Sequence, residues 1–422
     1  MERNFGAVSP QNTTDKAVPR ERRLVTDVLE SALCYARERD YRGWDYADGM
    51  SSPFREVLPD NRWINLVLQE LPKRSPVNVR PLLGIPPRRN FKGCALFSSA
   101  NVMAYELTGQ SWYLDEAEAL LGWLLEHRRD DPFGWGHNHD LQGLSRTIPR
   151  NTPDIVATTY VARAMMDLAE HRPIPEYASL PERISTFFRE ELCDTTPDGI
   201  RLRYEPTAPT GTYVLNANAL AGSLLVELAD TYEAPSLRPF GESLLDYVAA
   251  EQHPLGGWKY TDPPSASHLS MDNHHTGFIL ESYLRHRDRT GSDRYDDVIN
   301  RGLSFYRDVL YDPNGAPRWD ERRRYPRDIH GAAQGIITFA MADDRDFAAR
   351  ILGWTLEAMY DEGRFFYRQN RLFTRRFTLM RWCQAWMAYA IASYLAADAP
   401  HRQPLSGQRN HYGPDTIRYS GL

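Results

Sequence analysis

Apolar residues recur along this chain at helical spacing, in runs that each open from a polar, aromatic loop. A first helix is expected over Arg23–Arg39, with Leu24, Val25, Val28, Leu29, Ala32 and Leu33 on one face. Another is expected near Trp63–Leu71. After these the pattern repeats. Helical runs begin near Gly93, Asp154, Val214, Asp272, Asp328 and Met380, about 52 to 61 residues apart. That drift fits an α-hairpin repeat with loops of unequal length. Second helices are expected between these starts, near Trp112–His127, Leu180–Glu191, Leu237–Glu251, Arg294–Leu310 and Arg345–Tyr360. Period-two runs with hairpin turns are scarce, so strands are expected only as short excursions near Arg201–Tyr204 and Arg364–Tyr367.

The two helix sets differ. The first is small and apolar on most sides, with Ala157, Ala162 and Ala164 in one helix and Ala217, Ala219, Ala221 and Gly222 in another. A helix that is apolar all round is buried. The second set is amphipathic, as in Leu114–Leu121. A buried inner ring inside an amphipathic outer ring is an all-α fold, an (α/α)6 toroid of helical hairpins, here over residues 23–398. Residues 1–22 read as a flexible arm and 399–422 as a tail whose Tyr412 and Tyr419 could dock back. Parallel inner helices would gather all the long loops at one end, around a cleft.

Composition narrows the function. The chain has 422 residues, and its 50 Lys and Arg against 56 Asp and Glu give a formal charge of −6. That charge is too mild to imply a nucleic-acid partner, and none is expected. The four cysteines form no metal-ligand pattern and fit a reducing, cytoplasmic compartment. No signal peptide and no membrane-spanning run is visible, although peripheral contact with a membrane remains open. Aromatic residues are abundant enough to suggest stacking platforms in a groove.

The chemistry sits in the loops before the inner helices. Loop one, Tyr41–Pro53, offers Asp45 and Asp48 as an acid pair, with Tyr41 as a candidate acid. Loop two carries Trp135, His137, His139, Asp140 and Arg146. These imidazoles and the carboxylate invite a metal reading, but their spacing matches no named metal signature. A sugar-binding or acid–base role is preferred, with no metal and no cofactor. Loop three leads to Asn216 and Asn218, of which at least one should satisfy neighbouring carbonyls. Loop four holds Trp258 and then Asp272-Asn273-His274-His275. Asp272 can cap the helix and orient His275, three residues on. Successive helical residues diverge by about 100°, so only one of the two histidines should face the cleft. Loop five brings Tyr325, Asp328, His330 and Gln334. Asp328 and His330 echo Asp272 and His274 in position. Arg322, Arg323 and Arg324 read as a solvated face or a carboxylate clamp. Loop six leads to Arg381, Trp382 and Gln384.

Several blocks resemble one family in the same order. They are Tyr41–Ser52 (Tyr-Arg-Gly-Trp-Asp-Tyr-Ala-Asp-Gly-Met-Ser-Ser), Thr152–Val156, Asp272–Gly277, Tyr325–His330 and Met380–Met387. The chain is similar over about residues 24–396 to the VpsJ-like proteins of bacterial exopolysaccharide and archaeal surface-glycan biosynthesis. The departure lies in loop two, Trp135–Gln142. There Asp140 and Gln142 match the family pattern, two histidines are gained and an aromatic position is lost. The resemblance implies an α/α toroid and a role in a glycan pathway.

The leading expectation is therefore an enzyme acting on an acidic, uronate-containing saccharide, free or lipid-linked. An epimerase or lyase would use His275 or His330 as base and Tyr41 or Tyr325 as acid. A hydrolase would use two of Asp45, Asp48, Asp140, Asp272 and Asp328. The second expectation is a non-catalytic glycan-binding or assembly factor. A terpene-cyclase relative ranks last, since no Asp-rich diphosphate motif is present.

Overall fold

The computed structural model describes residues 20–143 and 146–397. The arm expected before the first helix, apart from its last residues, and the tail with Tyr412 and Tyr419 lie outside the described residues.

In chain order the helices are α1 (Arg20–Arg37), α2 (Phe54–Val57), α3 (Arg62–Arg74), α4 (Phe91–Thr108), α5 (Trp112–Glu126), α6 (Ile155–Ala169) and α7 (Leu180–Thr186). They continue with α8 (Leu215–Thr231), α9 (Arg238–Ala250), α10 (Asn273–Thr290), α11 (Asp296–Leu310), α12 (Ile329–Met341), α13 (Arg345–Ala358) and α14 (Trp386–Ala396). A π-helical stretch, Phe187–Leu192, extends α7, and another, Met380–Ala385, opens α14.

Helices α4, α6, α8, α10, α12 and α14 each pack on the next, and α14 returns to α4, so the inner ring closes. The amphipathic α5, α7, α9, α11 and α13 pack outside it, and α1 covers α14. The fold is the expected all-α (α/α)6 toroid. Its inner helices are buried on nearly every face because their side chains are small. Gly222 of α8 and Gly241 of α9 let two backbones touch: a Cβ on either would lie 2.6–2.8 Å from the other's carbonyl oxygen.

Helix starts are set by caps. Asn90, Asp154, Asp272 and Asp328 each accept a backbone N–H of the turn that follows. Asp154 is the cap of α6. Strands are confined to short pairs in the loops, such as Cys193–Thr196 with Gly199–Leu202.

The loops do gather at one end, and a repeated stitch holds them. The first N–H of an inner helix donates to a carbonyl beside an aromatic ring in another loop. Ile155 donates to Tyr204, Leu215 to Tyr260, Asn273 to Trp319, Ile329 to Tyr367 and Met380 to Trp44, at 2.9–3.3 Å. Each bond satisfies a donor that the helix start would leave orphaned.

Candidate functional site

Three rings from alternate inner helices meet across the axis of the toroid. Tyr160 of α6, Phe278 of α10 and Trp386 of α14 have centroids 5.1–6.1 Å apart. They form a floor. About one turn beyond it lies a buried ion-pair network. Arg163 Nη2 donates to Glu227 Oε1 at 2.7 Å, Arg285 Nε donates to Glu281 Oε1 at 2.9 Å, and Gln334 Nε2 donates to Glu281 Oε2 at 2.9 Å. Gln334 therefore belongs beneath the floor rather than in the cleft.

On the loop side of the floor stands a cluster of imidazoles. His275 Nδ1 lies 2.8 Å from Asp272 Oδ2, and His274 Nδ1 lies 3.4 Å from Asp272 Oδ1. The expected divergence of the two histidines does not occur. Both rings fold onto the capping carboxylate, with centroids 4.0 Å apart. His274 stacks on His330 at 4.7 Å, and His275 lies against Tyr260 at 4.4 Å. Burial would raise the Asp272 carboxyl, but His275 and His274 hold it below the ordinary range. Burial pushes His274 and His330 well below the usual histidine range, with neighbouring imidazoles adding to the effect. His330 is buried among His274, Trp382, Trp386 and Phe278, and neither ring nitrogen has a partner.

Lys92, at the start of α4, completes this layer with its Nζ 5.9 Å from the centre of the Trp386 ring. Burial pushes it down from the lysine range and Arg381 adds to this, while Asp154 and Asp45 pull it back. Burial in turn pushes the Asp154 carboxyl up. Sequence reasoning passed over Lys92 and Asp154 as a cleft acid, and expected only one of His274 and His275 to face the cleft. The signal for Lys92 was present: it is one of four lysines in a chain that otherwise uses arginine, and it sits at an inner-helix start.

Arg381 reaches the neighbouring wall. Its Nε donates to Asp45 Oδ2 at 2.8 Å, and Asn90 Nδ2 donates to the same oxygen at 2.8 Å. Burial opposes ionisation of Asp45, but Arg381 outweighs it and holds the carboxyl low. Close by, His137 Nδ1 and His139 Nε2 are buried without partners, and burial pushes His139 down to about 4. Ligand atoms of Asp45, His137 and His139 lie within 4.8 Å of one another. This is the donor chemistry of a transition-metal site. The guanidinium on Asp45 opposes a second cation there, and the same set suits hydrogen bonding to a polar ligand.

Other candidates do not join the cleft. Tyr41 donates to Glu116 Oε2 of α5 at 2.7 Å and packs on Phe97, so it ties loop one to an outer helix. Trp135 and Trp258 are core pins rather than platforms. Their indole N–H groups donate to Leu124 O and Val248 O, both at 2.8 Å, in the last turns of outer helices. Asn273 faces outward to Leu310, Tyr306 and Tyr311. Gln384 binds the carbonyls of Ala32 and Gly363 on the outer side. Asp48 is paired to Arg80 at 2.7 Å, so Asp45 and Asp48 do not share a proton site. Arg146 pairs with Glu205, and Asp140 accepts the Arg150 N–H.

Asp328 differs from Asp272 in the same way. Its Oδ1 accepts Trp382 Nε1 at 2.8 Å, and its Oδ2 is ion-paired with Arg368, so it does not orient the His330 ring. Tyr325 lies under the Arg327 guanidinium, 5.2 Å from it. Trp382 stacks on Tyr46 at 4.1 Å on the cleft wall. Asn218 binds Leu202 and Val214 backbone as expected, whereas the buried Asn216 Oδ1 has no partner. Of Arg322–Arg324, Arg323 pairs with Asp320 and Arg324 with Asp312, so this run braces its own loop.

Comparison with known proteins bears on the fold. Cellobiose 2-epimerase from Bacillus thermoamylovorans B4167 superposes with a TM-score of 0.59 at 10% identity, over 73% of this chain and 87% of that one. The fold is that of the six-hairpin toroid enzymes. An unsaturated glucuronyl hydrolase specific for heparin superposes with a TM-score of 0.58 at 12% identity, covering 88% of this chain and 96% of its own. A polysaccharide lyase does so at 0.55 and 11% identity, covering 89% and 97%. No family model and no curated protein matches the chain. At such identities the likeness carries the toroid, and one toroid hosts several chemistries. Among the described residues no helix is long and apolar enough to cross a membrane.

Proposed function

We propose that this chain is a carbohydrate-active enzyme that removes a proton from a ring carbon of an acidic saccharide, as an epimerase or lyase. The observation that carries the reading is Asp272 with two imidazoles on its oxygens. A carboxylate on Nδ1 fixes the tautomer that leaves Nε2 as the base. His275 fits that role best, because it is partly exposed whereas His330 is closed over. Lys92 and Arg381 supply positive charge for a uronate carboxylate and for the enolate-like charge that develops beside it. Hydrolysis is less well served. It requires two carboxylates about one glycosidic oxygen; Asp45, Asp48 and Asp328 are each tied to an arginine, which leaves the buried Asp154 with an Asp272 already held by two imidazoles.

The VpsJ-like blocks support a place in surface-glycan biosynthesis, and the unpaired Cys34, Cys94, Cys193 and Cys383 suit a reducing cytoplasm. The second reading is a glycan-binding or assembly factor that uses the same cleft without turnover.

Incubation with uronate-containing and neutral oligosaccharides in heavy water, read by NMR and mass spectrometry, tests this. Deuterium at a ring carbon or a new unsaturated end is the expected result. New reducing ends without carbon-bound deuterium would replace it with hydrolysis, and sugars bound but unchanged would replace it with the binding factor.

A further inference from the structure

Beside the cleft the toroid exposes large apolar side chains that nothing in the chain's described residues covers. On α3, Asn65, Leu68, Gln69 and Pro72 face inward, while Trp63, Val67 and Leu71 form the opposite stripe, with Trp63 and Val67 each 62% exposed. The hairpin tip of loop six adds Leu372, 90% exposed, and Phe373. The two elements adjoin, because Arg375 Nη2 donates to the last carbonyl of α3, Arg74 O, at 2.8 Å. Both flank the mouth. Lys73 of α3 lies 4.8 Å from the Tyr46 ring that stacks on Trp382, and the loop-six hairpin pairs with Arg327–Asp328.

The charge around this stripe is the reverse of the chain's. Residues 54–76 and 370–376 hold seven Lys and Arg against three Asp and Glu, in a protein of formal charge −6. Arg62 lies 4.5 Å from the Trp63 ring and Arg375 5.9 Å from the Phe373 ring. An exposed apolar stripe on an amphipathic helix, with tryptophan and a basic rim, has the composition of an interfacial membrane anchor. A cationic rim also favours an anionic surface over a second copy of this net-acidic chain.

We infer that the α3 stripe and the loop-six tip dock the protein on an anionic lipid bilayer, holding the cleft mouth at the membrane surface. The inference stands apart from the proposed reaction, since lipid binding requires no turnover. A single interfacial helix gives reversible attachment, so the protein should partition rather than anchor permanently.

Co-sedimentation with vesicles of phosphatidylcholine alone, and of phosphatidylcholine with phosphatidylglycerol, tests it. The full chain is expected to sediment with the anionic vesicles and to be released by salt, which screens the basic rim. The variant Trp63→Ser/Leu372→Ser is expected to lose at least about tenfold in binding, and Arg62→Glu/Arg371→Glu a similar factor. All four positions are exposed, so unchanged circular dichroism and Tm should accompany the loss. Failure to sediment with anionic vesicles, or equal binding by the variants, would overturn the inference. So would a dimer in light scattering that Trp63→Ser dissolves, because the stripe would then be an interface between copies.

Discussion

Asp272 and Asp328 occupy the same place in successive repeats, and the structure gives them opposite jobs. The two Asp→Asn substitutions should therefore fail differently. In Asp328→Asn one oxygen remains for the His330 N–H and Trp382 Nε1, but the oxygen ion-paired with Arg368 becomes an amide donor. Arg368 is buried, so its charge is left facing a donor. Breaking one side of a buried ion pair costs about 3–5 kcal/mol. A chain of this size unfolds with an entropy of about 0.8 kcal/mol/K, so Tm should fall by about 4–6 °C. Asp272→Asn keeps the acceptor for the His275 N–H, and asparagine caps a helix as well as aspartate does. Its Tm should stay within about 2 °C of wild type. What it loses is the carboxylate on His275 Nδ1, and with it the tautomer that aims the base. Exchange of substrate ring protons in heavy water should then slow about a hundred- to ten-thousandfold. Calorimetry and NMR exchange on the two variants form one experiment. Normal exchange in Asp272→Asn, or abolished exchange in Asp328→Asn at unchanged Tm, would refute the division of roles.

Lys92→Met should abolish exchange and also stabilise the fold. Wild-type Lys92 is depressed below its unfolded value of 10.5. The unfolded chain therefore binds the extra proton, and wild-type stability rises with pH through that window. The variant's advantage in Tm should be greatest near pH 6 and shrink towards about pH 10; an advantage that grows with pH would contradict the placement of the lysine. Trp135→Phe removes one of the two donors on the Leu124 carbonyl, which keeps the His127 N–H, so it should cost about 0.5–1.5 kcal/mol while leaving saccharide affinity unchanged. Titration of the saccharide by calorimetry separates that outcome from the loss of a stacking platform.

The architecture was legible because one local signal marked every repeat and a second agreed with it at most of them. Small apolar residues marked each inner helix, and a capping Asp or Asn marked the start of four of them, so five observed starts fall within two residues of those expected and the sixth does once the π-helical stretch from Met380 is counted with α14. The aromatic loops were legible as a repeat but misread as platforms. Composition records that Trp135 and Trp258 precede helices, and it does not record that their indoles turn outward to Leu124 and Val248. Asp328 could not be told from Asp272 because its partner, Arg368, arrives from loop six. Lys92 gained its neighbours only when α14 closed the ring onto α4. Arg163, Glu227, Glu281 and Arg285 were readable in principle. Charges on helices otherwise apolar all round have to meet one another.

Those four charges also explain how the cleft works. The Tyr160–Phe278–Trp386 floor lies between two polar layers. Beneath it Arg163 and Arg285 are matched by Glu227 and Glu281, so the lower layer asks nothing of the upper one. Above it a dry aromatic surface raises the cost of every charge. Burial presses His274, His330 and Lys92 towards neutrality, while His275 and His274 hold the Asp272 carboxyl low and Arg381 does the same for Asp45. A cation held near its titration point gains most from an anionic ligand, because binding restores its proton and its charge together. If the proposed function holds, the site would select acidic sugars less through hydrogen-bond geometry than through the burial penalty that Lys92 carries when the cleft is empty.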